Sequence, residues 1–306
     1  MLNLKRATPS YKTDAKNKLE SKFNLFTVIT FIILVLYVCI LTGLLVWALQ
    51  TSFKTVSDYR LNKIGLPKKW VWNYETVYKQ FYVFIETSSG RERVYMDKMF
   101  LNAFLYSLGC AFTNTLIPCF TAYLCARFKY KFSKIVHSTV IITMIIPIVG
   151  SLPSEIQMAK NLMLYDKLWG LWVMKANFLG MYFLLFYNNF KALPMAYTEA
   201  AKIDGAGNTT IFVKIIFPLI RNTFITIMLI KFIEFWNDYQ VPLVYMPSYP
   251  TIALGMYNMA KTTINNLSRV PMRMTGSVIM LTPILVLFLA LHKRLLGNVT
   301  MGGIKG

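Results

Sequence analysis

Acidic side chains are scarce, with 13 Asp and Glu against 33 Lys and Arg in 306 residues, and so are histidine (two) and cysteine (four). His137 and His292 stand alone near the ends of apolar runs, so no imidazole pair opens a metal site or a proton relay. Cys39, Cys110, Cys119 and Cys125 form no C-x-x-C pair and all lie in apolar surroundings, which points to small packing residues rather than to metal or disulfide. No G-x-x-x-x-G-K-[ST] loop, H-E-x-x-H pair or nucleophile arrangement occurs, so nucleotide hydrolysis and the common hydrolytic chemistries are excluded for this chain alone. Neither a cofactor nor a metal is expected.

Charge is also missing from long stretches. Residues 24–53, 99–126 and 135–154 contain no Lys, Arg, Asp or Glu. A helix crosses a bilayer with about 20 mostly apolar residues, so each of these reads as a span. Residues 274–291 make a fourth of marginal length. Residues 168–188, interrupted by Lys175, and residues 219–244, which carry Arg221, Lys231, Glu234 and Asp238, complete an expected set of six. The first run is longer than a secretory h-region and is read as a retained helix. The expected class is therefore an all-α membrane protein with six transmembrane helices.

The formal charge of +20 does not imply nucleic acid, because no recognition module accompanies it. The basic runs read as membrane-lipid anchoring. "RFKYKFSK", residues 127–134, holds Arg127, Lys129, Lys131 and Lys134 with no acid, which assigns that loop to the cytoplasm. Residues 1–23 then form a cytoplasmic polar tail, 24–53 the first span, and 54–98 an extracellular segment. Residues 99–294 form a core of five spans with a cytoplasmic loop at 188–221, and 295–306 a cytoplasmic tail. The aromatics of the outer segment, among them Trp70, Trp72 and Tyr74, suit a small folded element near the outer surface, either as belt residues or as a docking face.

The loop contains "TEAAKIDGAGNTTIFVKIIFPLI", residues 198–220. Thr198 reads as an N-cap, Ala200 and Ala201 as strong helix formers, and Gly205 and Gly207 as the turn. Ile211, Phe212, Ile215 and Ile216 then recur as one apolar stripe. This predicts a short helix, a turn and an amphipathic helix at the inner face.

The same residues resemble the signature of permease subunits of bacterial ABC importers. It consists of Glu199, Ala200 and Ala201, then Gly205 after three residues, then Ile215 and Pro218 after nine more, with Phe217 where Leu is usual. Asp204, Gly205 and Ala206 are similar to the Asp-Gly-Ala of the sugar-importing members. The likeness continues through residues 102–131, 144–153 and the "FWNDYQVPLVY" of 235–245 to the terminal "GGIKG". It implies a type I ABC importer permease fold of the smaller, maltose-transporter-type subunit in a bacterial plasma membrane, both termini inside. It also implies a coupling helix carrying Glu199, Ala200, Ala201, Asp204, Gly205 and Gly207. The implied partners are a second homologous permease, two copies of a cytoplasmic ATPase, an extracellular solute-binding protein and a sugar.

Within residues 219–244, Lys231, Glu234 and Asp238 are spaced to share one helical face. Ionisable groups in a span face protein or water. Lys231 and Glu234 read either as a neutralising pair or as pathway residues, and Glu234, Trp236, Asn237 and Asp238 are the pathway candidates. The competing function is a secondary transporter driven by an ion gradient, although no internal span repeat appears. A membrane anchor without transport fits the proline-broken, polar-bearing spans less well.

Overall fold

The computed structural model describes residues 25–87, 90–128, 130–146, 150–261 and 266–299. The polar tail 1–23 and the terminal "GGIKG" lie outside them. The chain divides into two compact units, Met1–Gln50 and Thr51–Gly306.

In the first unit, helix α1 (Leu25–Ser52) is apolar on every side, and none of its residues from 25 to 50 is buried. Such a helix needs lipid or another chain around it.

In the second unit the segment after α1 folds as expected for a small element, made of α2 (Val56–Leu61), α3 (Tyr74–Gln80) and a two-stranded antiparallel ribbon. Strands β1 (Tyr82–Thr87) and β2 (Gly90–Tyr95) pair Tyr82 with Tyr95. The ribbon is a local addition to an otherwise helical molecule.

Helix α4 (Met96–Arg127) is the central mast. Its first half packs with Phe232, Phe235 and Trp236 in one buried cluster, and its second half packs with Phe183, Phe186, Phe190 and Ile220 in another. Without a hydrophobic driving force in lipid, close packing holds such helices together. Gly109 shows how close: a Cβ there would collide with the indole of Trp172, whose Nε1 donates to the Leu105 carbonyl at 3.1 Å. Trp172 belongs to α7 (Leu168–Met174), so Gly109 sets the approach of α7 to α4.

Two expected spans are not single helices. Residues 135–154 fall on α5 (Lys131–Ile145, 15 residues) and the start of α6 (Leu152–Asn161). Residues 168–188 fall on α7 and α8 (Met181–Ala192), separated by an irregular stretch ending at Gly180 with φ +126°. Hydropathy records how apolar a stretch is, and says nothing of where its backbone ladder is interrupted. Among the described residues, four helices are long and apolar enough to cross a membrane: Leu25–Ser52, Met96–Arg127, Asn208–Asn237 and Val270–Leu291. Broken helices are tolerated at membrane depth where protein or a cavity satisfies the freed backbone groups.

The remaining elements are α9 (Ala196–Ile203), α10 (Asn208–Asn237), α11 (Gln240–Tyr245), α12 (Ile252–Lys261) and α13 (Val270–Val299). Asp166 ties two loops together. Its N–H donates to the Tyr245 carbonyl at 2.8 Å, and its carboxylate accepts from Ser248 Oγ at 2.6 Å and Ser248 N at 3.0 Å.

Candidate functional site: a capped loop helix and a charged span end

The loop helix α9 begins two residues before Thr198. Its N-cap is Met195, whose carbonyl accepts from Thr198 N at 2.8 Å and Glu199 N at 3.1 Å. Thr198 is therefore not the cap. Its buried hydroxyl has no hydrogen-bond partner.

The end of α9 follows from Gly205. With φ +79° it occupies the left-handed region that side chains resist. Its N–H donates to the Lys202 carbonyl at 3.0 Å, while Ala206 N donates to the Ala201 carbonyl at 2.9 Å. That pair of bonds is the Schellman closure, which satisfies carbonyls a helix end would otherwise leave open. Gly207 is extended and serves as the N-cap of the next helix.

Only Ala201 of the six signature residues is buried, at 5% exposure, inside the second cluster with Ile211. Glu199, Ala200, Asp204, Gly205 and Gly207 are all exposed. Sequence reading missed Tyr197 and Ile203, which stand 48% and 86% exposed beside them. Large apolar groups held outward on a fixed helix are the signal that identifies them. Arg127, counted above as a loop charge, is instead folded under α9, with Nη1 2.9 Å from Met195 Sδ.

The predicted stripe is present: Ile211 and Ile216 are fully buried, Phe212 and Ile215 are half-buried, and Val213 and Lys214 face out. Residues 211–216 form a π turn inside α10. Pro218 has no N–H for the carbonyl four residues back, and the wider turn before it absorbs the mismatch.

At the other end of α10, Lys231 Nζ and Glu234 Oε2 pair at 2.9 Å, with side chains 14% and 55% exposed. The ammonium also lies 4.8 Å from the centre of the Tyr182 ring. A cavity of about 240 Å³ opens beside them, lined by Asn114, Asn177, Tyr182 and Lys231 at the break before α8.

The helix stops at Asn237, so Asp238 does not continue the face of Lys231 and Glu234. Asp238 is the junction to α11. Oδ1 accepts from Gln240 N at 2.9 Å and Val241 N at 3.2 Å, and Oδ2 accepts from the Tyr106 hydroxyl at 2.9 Å. Trp236 is 3% exposed, and its Nε1 donates to the Met280 carbonyl at 3.2 Å. Its indole face is thus closed to a passing ligand. Exposed Asn237 donates to the Ile233 carbonyl of its own helix at 2.8 Å. Of the four pathway candidates, Glu234 and Asn237 are open and Trp236 and Asp238 are engaged in joining helices.

Beyond α11, Glu155 Oε2 accepts from the Tyr245 hydroxyl at 3.0 Å and Oε1 from Ser151 Oγ at 2.6 Å. The Ser151 and Tyr245 bonds hold the Glu155 carboxyl below its ordinary value, and burial with the same contact pushes the Tyr245 phenol up to about 12.

Long apolar helices, interrupted spans bordering a polar cavity and a rigid helix presented on a loop define a membrane-embedded transport subunit. The model of the family described as binding-protein-dependent transport system inner membrane component matches residues 115–299, and the chain belongs to that family. It is 28% identical over 263 residues to the melibiose/raffinose/stachyose import permease protein MelC of Bacillus subtilis, covering 84% of this chain and 89% of that one. It is 23% identical over 283 residues to the diacetylchitobiose uptake system permease protein NgcG of Streptomyces coelicolor, covering 90% and 88%. The fold is similar, with a TM-score of 0.72 at 18% identity, to a chain of a bacterial ABC transporter involved in the import of the acidic polysaccharide alginate; the match covers 94% of this chain and 99% of that chain.

Proposed function

We propose that the protein is the permease subunit of an ABC importer for a di- or oligosaccharide, and that α9 is the helix through which a separate ATPase drives it. The observation that carries the reading is the fixed presentation of Glu199, Ala200, Asp204 and Ile203 by a helix closed at Gly205. Ala201 anchors that helix to the second cluster, so a push on its outer face is transmitted to α4, α8 and α10. The sugar class is supported by relatives named for melibiose, raffinose and stachyose and for diacetylchitobiose. The loop faces the cytoplasm, as do both termini, and the membrane is a bacterial plasma membrane.

The assembly contains a second permease chain, two ATPase copies and an extracellular solute-binding protein. Glu234 and Asn237 border the route of the sugar, and the Lys231 ammonium beside Glu234 keeps that stretch of α10 close to neutral. The test is affinity purification of the tagged chain from its native membrane with mass spectrometry of its companions. An ATPase and a second permease are expected. Recovery of the chain alone, from a detergent that keeps other membrane complexes whole, overturns the reading in favour of a gradient-driven transporter.

A further inference from the structure

Residues 54–72 are built inside out. Apart from buried Pro67 their inward-turned groups are polar: Lys54 Nζ donates to the Asn62 carbonyl at 2.8 Å and Asp58 Oδ2 accepts from Lys68 N at 2.9 Å, while Asn73, just past the stretch, donates from Nδ2 to the Ser52 and Lys54 carbonyls at 2.8 and 2.9 Å. Asn62 closes the tip, accepting from Gly65 N at 2.8 Å and donating to the Leu66 carbonyl at 2.9 Å. The outward-turned groups are apolar, with Leu61 83%, Ile64 79%, Leu66 68%, Trp70 61% and Trp72 66% exposed. Arg60, Lys63, Lys68 and Lys69 are exposed among them. The one acid in the stretch, Asp58, is buried.

The position of this loop is set by the chain itself. Phe53 follows Ser52, the last residue of the apolar helix α1, and Val71 N donates to the Phe53 carbonyl at 2.9 Å. Trp70 and Trp72 close on the Phe53 ring with centroids 5.4 and 5.9 Å away. Residues 54–70 therefore leave and re-enter directly after the last residue of a helix long and apolar enough to cross a membrane.

We infer that residues 60–72 form a foot that beds into the outer headgroup layer and binds anionic phospholipid. An apolar surface at this height is stable in the interfacial region, where Trp is favoured and Lys and Arg meet lipid phosphates. The polar interior stiffens the foot, since Lys54, Asn62, Asn73 and Asp58 Oδ2 are hydrogen-bonded within residues 52–73, with Asp58 Oδ1 left buried and without a partner. A water-facing loop would place these two classes of side chain the other way round.

The test uses the full chain in nanodiscs with Cys39→Ser and Ile64→Cys, the new thiol carrying an environment-sensitive fluorophore. Quenching by lipids brominated near the headgroup is expected to exceed quenching by aqueous iodide. It is expected to be at least about twofold stronger in anionic than in uncharged bilayers. Replacing Arg60, Lys63, Lys68 and Lys69 together by Gln should erase that difference while leaving the chain folded, because all four side chains are exposed. A fluorophore reached by iodide and indifferent to brominated lipid overturns the foot, as does one shielded from both. Equal lipid quenching in charged and uncharged bilayers overturns the headgroup recognition.

Discussion

Gly205 shows what one residue decides here. The sequence announces a turn at this position, and the structure adds its sense, φ +79°, and the two backbone bonds it permits. A Cβ at Gly205 meets no neighbouring atom, so a substitution acts through backbone strain alone. Gly205→Ala should cost about 1 kcal/mol at the helix end, fray α9, and lower sugar uptake per ATP hydrolysed in the reconstituted assembly. Gly205→Asn, whose side chain tolerates the left-handed region, should restore most of the coupling. Equal, full coupling in both variants would remove α9 from the drive train.

Glu155 gives a second expectation at this scale. Its folded pKa is depressed by the Ser151 and Tyr245 bonds, so the contact is complete above the ordinary carboxylate value and is lost as pH falls through the lowered one. A fluorotyrosine resonance at position 245 should hold steady from neutral pH down past the normal Glu range and shift only on stronger acidification. A shift centred at or above the unperturbed Glu value would contradict this. The sequence carried no hint of the pair, because 90 residues separate its members.

Among the elements, long uniform runs were legible and interrupted ones were not. Residues 25–52 and 99–126 lie on single helices because nothing in them breaks the ladder, and even Pro118 is absorbed inside α4. The stretches at 135–154 and 168–188 also read as spans, yet each falls on two helices rather than one. Likewise the tryptophan of α10 and the aspartate that follows it were legible as notable residues, whereas their tasks depended on where the helix ended. Because α10 stops at Asn237, Asp238 turns to cap α11 and to receive the Tyr106 hydroxyl from α4.

That bond predicts a coupling between elements. Tyr106 is fully buried, so Tyr106→Phe leaves Asp238 short of a donor at the α4–α10 junction and should destabilise the fold by about 1–3 kcal/mol. Asp238→Asn should lose part of the same contact, and the double variant should lose less than the sum when thermal unfolding is followed in detergent. Strict additivity would mean that the two residues act independently. Gly109→Ala is the packing counterpart: its methyl collides with Trp172, so α7 must move off α4 and the melting temperature should fall.

At the scale of the whole molecule, the family signature was legible because it is local, whereas the energy source under the proposed function lies on another chain. No nucleotide loop is present in the sequence, and the charges that a gradient-driven carrier would use, Lys231 and Glu234, are already paired at 2.9 Å. A carrier cycle needs an ionisable group that gains and loses its ion as the protein changes face. Lys231 is held by both Glu234 and the Tyr182 ring. Uptake should therefore follow ATP and not the ion gradient. In proteoliposomes containing the assembled chains and ATP on the cytoplasmic side, ionophores that collapse proton and sodium gradients should leave the initial rate of sugar entry nearly unchanged. Replacing ATP by a non-hydrolysable analogue should reduce it to the passive leak. Glu234→Gln should raise the half-saturating sugar concentration while keeping that dependence on ATP. Rates that collapse with the gradients and ignore the analogue would reassign the driving force to the charges of α10.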